Sequence, residues 1–257
     1  MRAVTSDQVL QVSVARGVAT LTLDSPANRN ALSRAMRAQL SSAIGDALAD
    51  DAVRVIVLDH TGRVFCSGMD LAEAAGGGVA DQGVREFPDL LAALWTSPKP
   101  VVAVVRGPAR AGGVGLAAAC DVVVAASSAS FAFSEVRLGL VPAVISAVAL
   151  PRMVRHVAHR LMLTGEVFDA ATAAAGGLVD LVAADDAVDD TLAGLLTALA
   201  AGAPTALAET KRLLRAGSPL EFDALLELSA RFFAGEEGQE GIASFREKRP
   251  ARWVPAD

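Results

Sequence analysis

Three places in this chain of 257 residues combine residue types and spacings that can do chemistry. They are the glycines of the stretch 104–121, VVRGPARAGGVGLAAACD, a second glycine turn at 60–71, HTGRVFCSGMDL, and Glu135 in FAFSEVRLG. In the first, the β-branched run from Pro100 to Val105 reads as a strand buried on both faces, and Arg106 and Gly107 end it. Gly112, Gly113 and Gly115 then open an apolar run, Leu116 to Cys120, with the character of a buried helix. Glycine at a helix start leaves the backbone N–H groups bare, and the partial positive charge there favours an anion or a polarised carbonyl oxygen. Such a turn supplies half of an oxyanion hole, or it merely permits a tight strand–helix contact. The second turn favours chemistry. There too a strand, Val53 to Leu58, runs into glycine, Gly62 and Gly68, and then into a helix. Two such turns about forty residues apart can aim two amides at one oxygen, as acyl transfer and enolate formation require.

Glu135 lies among Phe131, Phe133, Val136 and Leu138, apolar company that would desolvate its carboxyl and raise its pKa toward the range useful for proton transfer. Spacing alone favours a solvated loop glutamate paired with Arg137. Asp70 reads as a helix N-cap in preference to a catalytic group. His156 and His159, three apart in RMVRHVAHR, have no acid or cysteine nearby to complete a metal set. With Arg152, Arg155 and Arg160 around them they read as a solvated or interface face, and no metal is expected. Gly76-Gly77-Gly78 reads as a loop, because it has neither the spacing nor the lysine of a phosphate-binding motif.

These groups need elements to hold them. Val9 to Val14 and Val18 to Leu23 form a hairpin around Ala15-Arg16-Gly17, with Pro26 stopping the second strand. Asn30 is expected to cap a helix whose apolar positions, Leu32, Met36, Leu40, Ile44 and Leu48, recur at i, i+4. Ala129 to Phe133 reads as a short strand and Ser134 to Gly139 as a turn. The stretch 165–182 reads as a short helix starting near Asp169, a Gly-Gly stop and a strand. Helices follow at Val188–Ala201, Pro204–Arg215 and Leu220–Phe233, and their apolar content exceeds what a peripheral layer needs, which suits a subunit interface. The class is α/β. The division drawn is residues 1–195 as the core with the site and residues 196–257 as a helical region.

Composition bounds the rest. A chain that is 53% hydrophobic can bury a large core, and a net charge of −6 argues against a nucleic-acid footprint. Cys66 and Cys120, the two cysteines, suggest neither a disulfide framework nor a zinc site. The first residues, MRAVTSDQVL, lack the pattern of a signal peptide, and charged residues interrupt the apolar runs, so the expectation is a soluble cytoplasmic protein without a membrane span. Arg246, Lys248, Arg249 and Arg252 cluster in the tail FREKRPARW as a ligand-directed patch or a solubilising one.

Taken in order, NRNALS, VFCSGMDL, VRGPARAGGVGLAAACDVVVA and FAFSEVRLGLVP resemble the crotonase (enoyl-CoA hydratase/isomerase) superfamily over nearly the full length. The resemblance implies a spiral of ββα units with a helical C-terminal trimerisation region, and an acyl-CoA thioester as substrate. Coenzyme A would then arrive as part of the substrate and no separate cofactor would be needed. It further implies oxyanion donors from the Met69 and Gly112 backbones, Glu135 as the catalytic acid/base, and assembly as a homotrimer or a dimer of trimers. Contacts to the thioester would fall on Arg29, Ala31, Ser67, Gly68, Asp70, Leu71, Gly113 and Gly115, and a basic tail residue would approach the CoA.

One departure stands out. Typical hydratases of the family carry a second glutamate one turn after the oxyanion glycine, where this chain has Gly115. GGVGL combined with SEVRLGLVPAVIS is similar to bacterial methylglutaconyl-CoA and carboxygeranoyl-CoA hydratase-like members, which points to a branched or carboxylated enoyl group. Three readings follow: a hydratase with a single glutamate, a double-bond isomerase that uses the same enolate, and a non-catalytic acyl-CoA binder, against which Glu135 argues.

Overall fold

The computed structural model describes residues 8–74, 86–216 and 222–255, so the loop expected at Gly76-Gly77-Gly78 lies outside the described residues. Strands β1 (Leu10–Ala15) and β2 (Val18–Leu23) pair antiparallel through a two-residue turn in which Arg16 and Gly17 take φ of +48° and +75°. Left-handed turns of this kind match the twist of the flanking strands. There follow α1 (Arg34–Ala49), β3 (Val55–His60), α2 (Leu71–Ala74), α3 (Glu86–Thr96), β4 (Val101–Val105), β5 (Ala109–Arg110) and α4 (Gly112–Ala119). The chain continues through β6 (Val122–Ala126), β7 (Ser130–Ala132), α5 (Ala143–Ala149), α6 (Arg155–Thr164), β8 (Phe168–Asp169), α7 (Ala170–Ala175) and β9 (Leu181–Ala183). Four helices close it: α8 (Val188–Ala201), α9 (Pro204–Arg215), α10 (Phe222–Ala234) and α11 (Glu236–Glu247).

Across the described residues one sheet has the order β1-β2-β3-β4-β6-β9, parallel from β2 onward, and a second has the order β5-β7-β8. Successive strands alternate between the two: β4 in the first, β5 in the second, β6 in the first, β7 in the second. Helices close each excursion, so the chain winds as ββα units. The parallel strands are continuous apolar runs because both faces are covered; every residue of β4 is fully buried.

The expected helix cap moves. Ser33, extended at φ −61° and ψ 166°, caps α1 by accepting a hydrogen bond from Met36 N at 3.2 Å. Asn30 has φ +53°, following Arg29 at +60°, and a left-handed residue cannot take the extended backbone of an N-cap. Leu32 therefore precedes the helix. Helices α3 and α11 had no counterpart in the sequence reading, although α3 buries Phe87, Leu90, Leu91 and Leu94 at helical spacing.

The division at 195/196 falls inside α8, which is continuous and packs on β3 and β6, so the helical layer begins at Val188. Lys211 and Arg215 of α9 reach Asp121 at 2.7 and 2.6 Å and tie that layer to the first sheet. Two of the tail's basic residues are engaged within the chain: Arg249 pairs with Glu240 at 2.7 Å and Arg252 with the same carboxylate at 3.2 Å. The Arg249 guanidinium, helped by the Arg252 amide, holds that carboxyl at about 2. Trp253 Nε1 donates to Ala201 O at 3.0 Å, and Arg54 donates to Trp253 O. Arg54 immediately precedes β3, so the tail is docked where the parallel strands begin, at the opposite end from the residues that follow them. No single described helix is long and apolar enough to cross a membrane.

Candidate active site

Beyond the C-terminal ends of β3 and β4 the chain leaves the first sheet, and four segments run side by side. Leu32 bridges Met69, with Leu32 N donating to Gly68 O at 2.8 Å. Cys66 bridges Ala109, with Phe65 N on Pro108 O at 3.0 Å and Arg110 N on Cys66 O at 2.9 Å. Ala109 and Arg110 pair in turn with Phe131 and Ala132. Met69 is itself bridged and stands three residues beyond Cys66, while Gly112 and Glu135 stand two and three residues beyond the paired Arg110 and Ala132, so one lateral register brings residues distant in sequence to one place.

The two glycine turns touch. Gly68 has φ +92°, and a Cβ built on it would meet Ala111 Cβ and Arg110 O, both at 3.1 Å; one built on Gly113 would lie 2.4 Å from Cys66 O. Ala111, between them, has φ +47° and ψ −115°, a backbone that costs a non-glycine residue about 1–3 kcal/mol and that turns the first amides of α4 sharply out of the loop. Among the described residues no acceptor is bonded to the amide of Met69 or of Gly112. Both residues line a cleft of about 510 Å³, together with Ser67, Leu71, Ala111, Glu135 and an apolar wall.

Glu135 opens the short turn after β7 and is half-buried. Its Oε2 is fully buried and has no hydrogen-bond partner among the described residues. Burial raises the carboxyl above its ordinary value, the expected response of an acid removed from water. The alternative partner is occupied elsewhere: Arg137 Nε donates to Thr164 O at 2.7 Å. Phe131 and Phe133 stack on Phe168 with centroids 5.7 and 6.0 Å away, so they anchor the strand beneath Glu135.

The remaining expected residues separate into two groups. Ser67 and Leu71 line the cleft, while Arg29 is exposed beside it and its carbonyl accepts from Ser67 N at 3.1 Å. Asp70 is a cap, its Oδ1 accepting from Ala72 N at 3.0 Å. Ala31, Gly68, Gly113 and Gly115 are buried and do not line the cleft. For Gly115 the reason is specific: a Cβ there would stand 2.4 Å from Ile145 Cγ2, so the α5 side chain fills the space in front of it. His156 and His159 lie on α6, and no group of three or more His, Cys, Asp or Glu able to hold a metal occurs among the described residues. Cys66 and Cys120 are buried with thiols pushed up to about 12, which leaves neither as a nucleophile.

Sequence reasoning placed Leu138 beside Glu135 but missed Phe87, which reads as ordinary helix core, and the rest of the wall, Leu140, Val141, Val144 and Ile145. The signal was available in LGLVPAVIS, where consecutive apolar residues match neither a strand nor a helix period; Leu140 and Val141 are 52% and 78% exposed. Glu135 is the one ionisable group among the described lining residues.

The family model described as enoyl-CoA hydratase/isomerase matches residues 13–255. The chain is 35% identical over 245 residues to the 2,3-dehydroadipyl-CoA hydratase of Escherichia coli, covering 93% of this chain and 96% of that protein. An enoyl-CoA hydratase from Shewanella pealeana superposes with a TM-score of 0.89 at 31% identity, covering 96% of this chain and 97% of the other. One from Mycobacterium avium is 42% identical, with a TM-score of 0.74 over 95% of this chain and 98% of the other. With a family match across almost its whole length, the crotonase fold and two glycine turns converging on a cleft that holds Glu135, the chain belongs to the enoyl-CoA hydratase/isomerase family.

Proposed function

We propose that this protein is a hydratase of 2-enoyl-CoA thioesters with an apolar, branched or straight, acyl chain. The observation that carries this reading is the buried, unpaired Oε2 of Glu135 on the same cleft as the two unpaired amides. The Met69 and Gly112 amides hold the thioester oxygen and stabilise the negative charge that gathers there as the enolate forms. Glu135 takes a proton from the attacking water while the C–O bond forms at Cβ. It then returns a proton to Cα as the enolate collapses, so that water is added in full and the carboxylate is restored. Ser67 and Leu71 line the thioester's path, and Arg29, Ala31, Gly68, Asp70 and Gly113 support it through backbone placement; coenzyme A enters as part of the substrate. The E. coli relative is named for a dicarboxylic acyl group. Here the described lining, Ser67, Ser134 and Glu135 apart, is apolar and holds no cation, which favours an apolar chain over a carboxylated one.

A second reading has its own support. With Ile145 against Gly115, Glu135 is the one described carboxylate at the cleft, and one carboxylate suffices to move a proton between two carbons in a double-bond isomerisation. A panel of 2-enoyl-, 3-enoyl- and carboxylated enoyl-CoAs turned over in heavy-oxygen water separates the two. Label in the product means hydration, and a shifted double bond without label means isomerisation. Saturable thioester binding without turnover leaves only the acyl-CoA binder. Trimeric assembly belongs to the same proposal: Leu214, Leu226, Phe233 and Phe245 of the C-terminal helices are 68–85% exposed, and sedimentation equilibrium reads the copy number.

A further inference from the structure

Asn30 is fully buried, lies outside the cleft, and has a left-handed backbone at φ +53°. Its side chain is almost completely bonded. Oδ1 accepts from Ser25 N at 2.7 Å, and the two Nδ2 hydrogens go to Thr61 O at 3.0 Å and Val64 O at 2.8 Å. The last two carbonyls begin the excursion that ends at Met69. The main chain on either side of Asn30 grips its other end: Arg29 O accepts from Ser67 N, and Leu32 N donates to Gly68 O at 2.8 Å. One residue thus fixes both ends of the turn 61–69, the start through its side chain and the finish through its neighbours.

We infer that Asn30 is a positioning residue that sets where the Met69 amide points, a role in the family's reaction separate from local stability. The physical case rests on residue type. A left-handed backbone is open to glycine and to asparagine with little strain, and of those two only asparagine carries the paired donors that two carbonyls require. An aspartate in its place would present an oxygen to Thr61 O and Val64 O, and glycine would take away both Nδ2 donors, leaving these half-buried carbonyls with the neighbouring His60 ring alone. In either case the turn is free to shift, and an oxyanion donor displaced by a fraction of an ångström loses most of its effect on the reacting oxygen.

The inference rests on the thioester reading above, and the experiment keeps the two apart. Cinnamoyl-CoA carries an enoyl chromophore whose absorption moves to longer wavelength when donors polarise its carbonyl. The wild-type protein is titrated with it first: saturable binding without a red shift overturns the oxyanion reading itself. Given a wild-type shift, Asn30→Gly, Asn30→Asp and Asn30→Ser are compared at full saturation. The expected result is a red shift reduced by half or more, with kcat lowered at least tenfold and the dissociation constant changed less than threefold. Asn30→Ser keeps one hydroxyl donor in a smaller side chain, so it carries the comparison if the other two fail to fold. Asn30→Asp adds a second signature, because protonation gives the aspartate one O–H donor: its kcat relative to wild type rises as the pH falls. Folded variants with a wild-type red shift and kcat, or a ratio for Asn30→Asp that does not change with pH, overturn the inference.

Discussion

Replacing Gly115 tests the space in front of it. An alanine Cβ would lie 2.4 Å from Ile145 Cγ2 and 3.0 Å from Ile145 Cβ. The obstructing atoms belong to a β-branched side chain that is 3% exposed and cannot swing aside as a longer one would. Overpacking of this kind costs about 1–3 kcal/mol. Exchanging glycine for alanine inside a helix returns about 1 kcal/mol, so the net loss for Gly115→Ala is about 0–2 kcal/mol. Ile145→Gly by itself removes a buried side chain at about 2–5 kcal/mol. In that background the obstruction is gone and Gly115→Ala becomes stabilising by about 1 kcal/mol. Urea melts of the four proteins therefore give a coupling of about 1–3 kcal/mol, well above the additivity error of about 0.5 kcal/mol for independent sites. The same geometry governs activity. Gly115→Glu alone gains no hydration of crotonyl-CoA, since its carboxyl cannot enter, whereas Gly115→Glu with Ile145→Gly gains it, read as loss of the enoyl absorbance. Additive melts, or a gain from Gly115→Glu alone, would refute the reasoning.

Three further predictions concern charge. Glu135→Gln lowers kcat by more than about a hundredfold, as acid/base groups usually do, while thioester binding measured by calorimetry persists. Because burial raises the Glu135 pKa, the native state holds a proton that the unfolded chain has lost, and stability falls as the pH rises through that window. The glutamine variant is accordingly expected to melt higher than wild type at neutral pH. His60 is buried with its pKa lowered by that burial; Nε2 accepts from Arg106 N at 3.1 Å and Nδ1 faces Thr61 O at 3.3 Å, so the neutral ring is the bonded form. The unfolded chain binds the proton first, and stability is lost as the pH falls below about 6.5, a slope in urea midpoints that His60→Gln removes. Asp121→Asn leaves Lys211 and Arg215 facing each other without their counter-ion and costs about 3 kcal/mol by denaturant melts, with kcat at permissive temperature unchanged.

How much was legible in the sequence follows the range of the interactions concerned. Strands β3 and β4, the Arg16-Gly17 hairpin, the Asp169 cap, the Gly-Gly stop and the two glycine turns depend on neighbours within a few residues, and local residue types determined them. Glu135 was legible through the resemblance of SEVRLGLVP to the family, because its spacing by itself favoured a solvated glutamate. The sequence left open whether Glu135 pairs with Arg137, which residue caps α1, and what faces Gly115. Each answer belongs to a partner far along the chain: Thr164 takes Arg137, Thr61 and Val64 hold Asn30 away from the capping role, and Ile145 closes the place before Gly115. The convergence of Met69 and Gly112 had the same status. Spacing established that two amides could meet, but the bridges Leu32–Met69 and Cys66–Ala109 bring them together. Backbone pairing across a lateral register is set by the packing of both sheets at once, and no local run of residues encodes that distance.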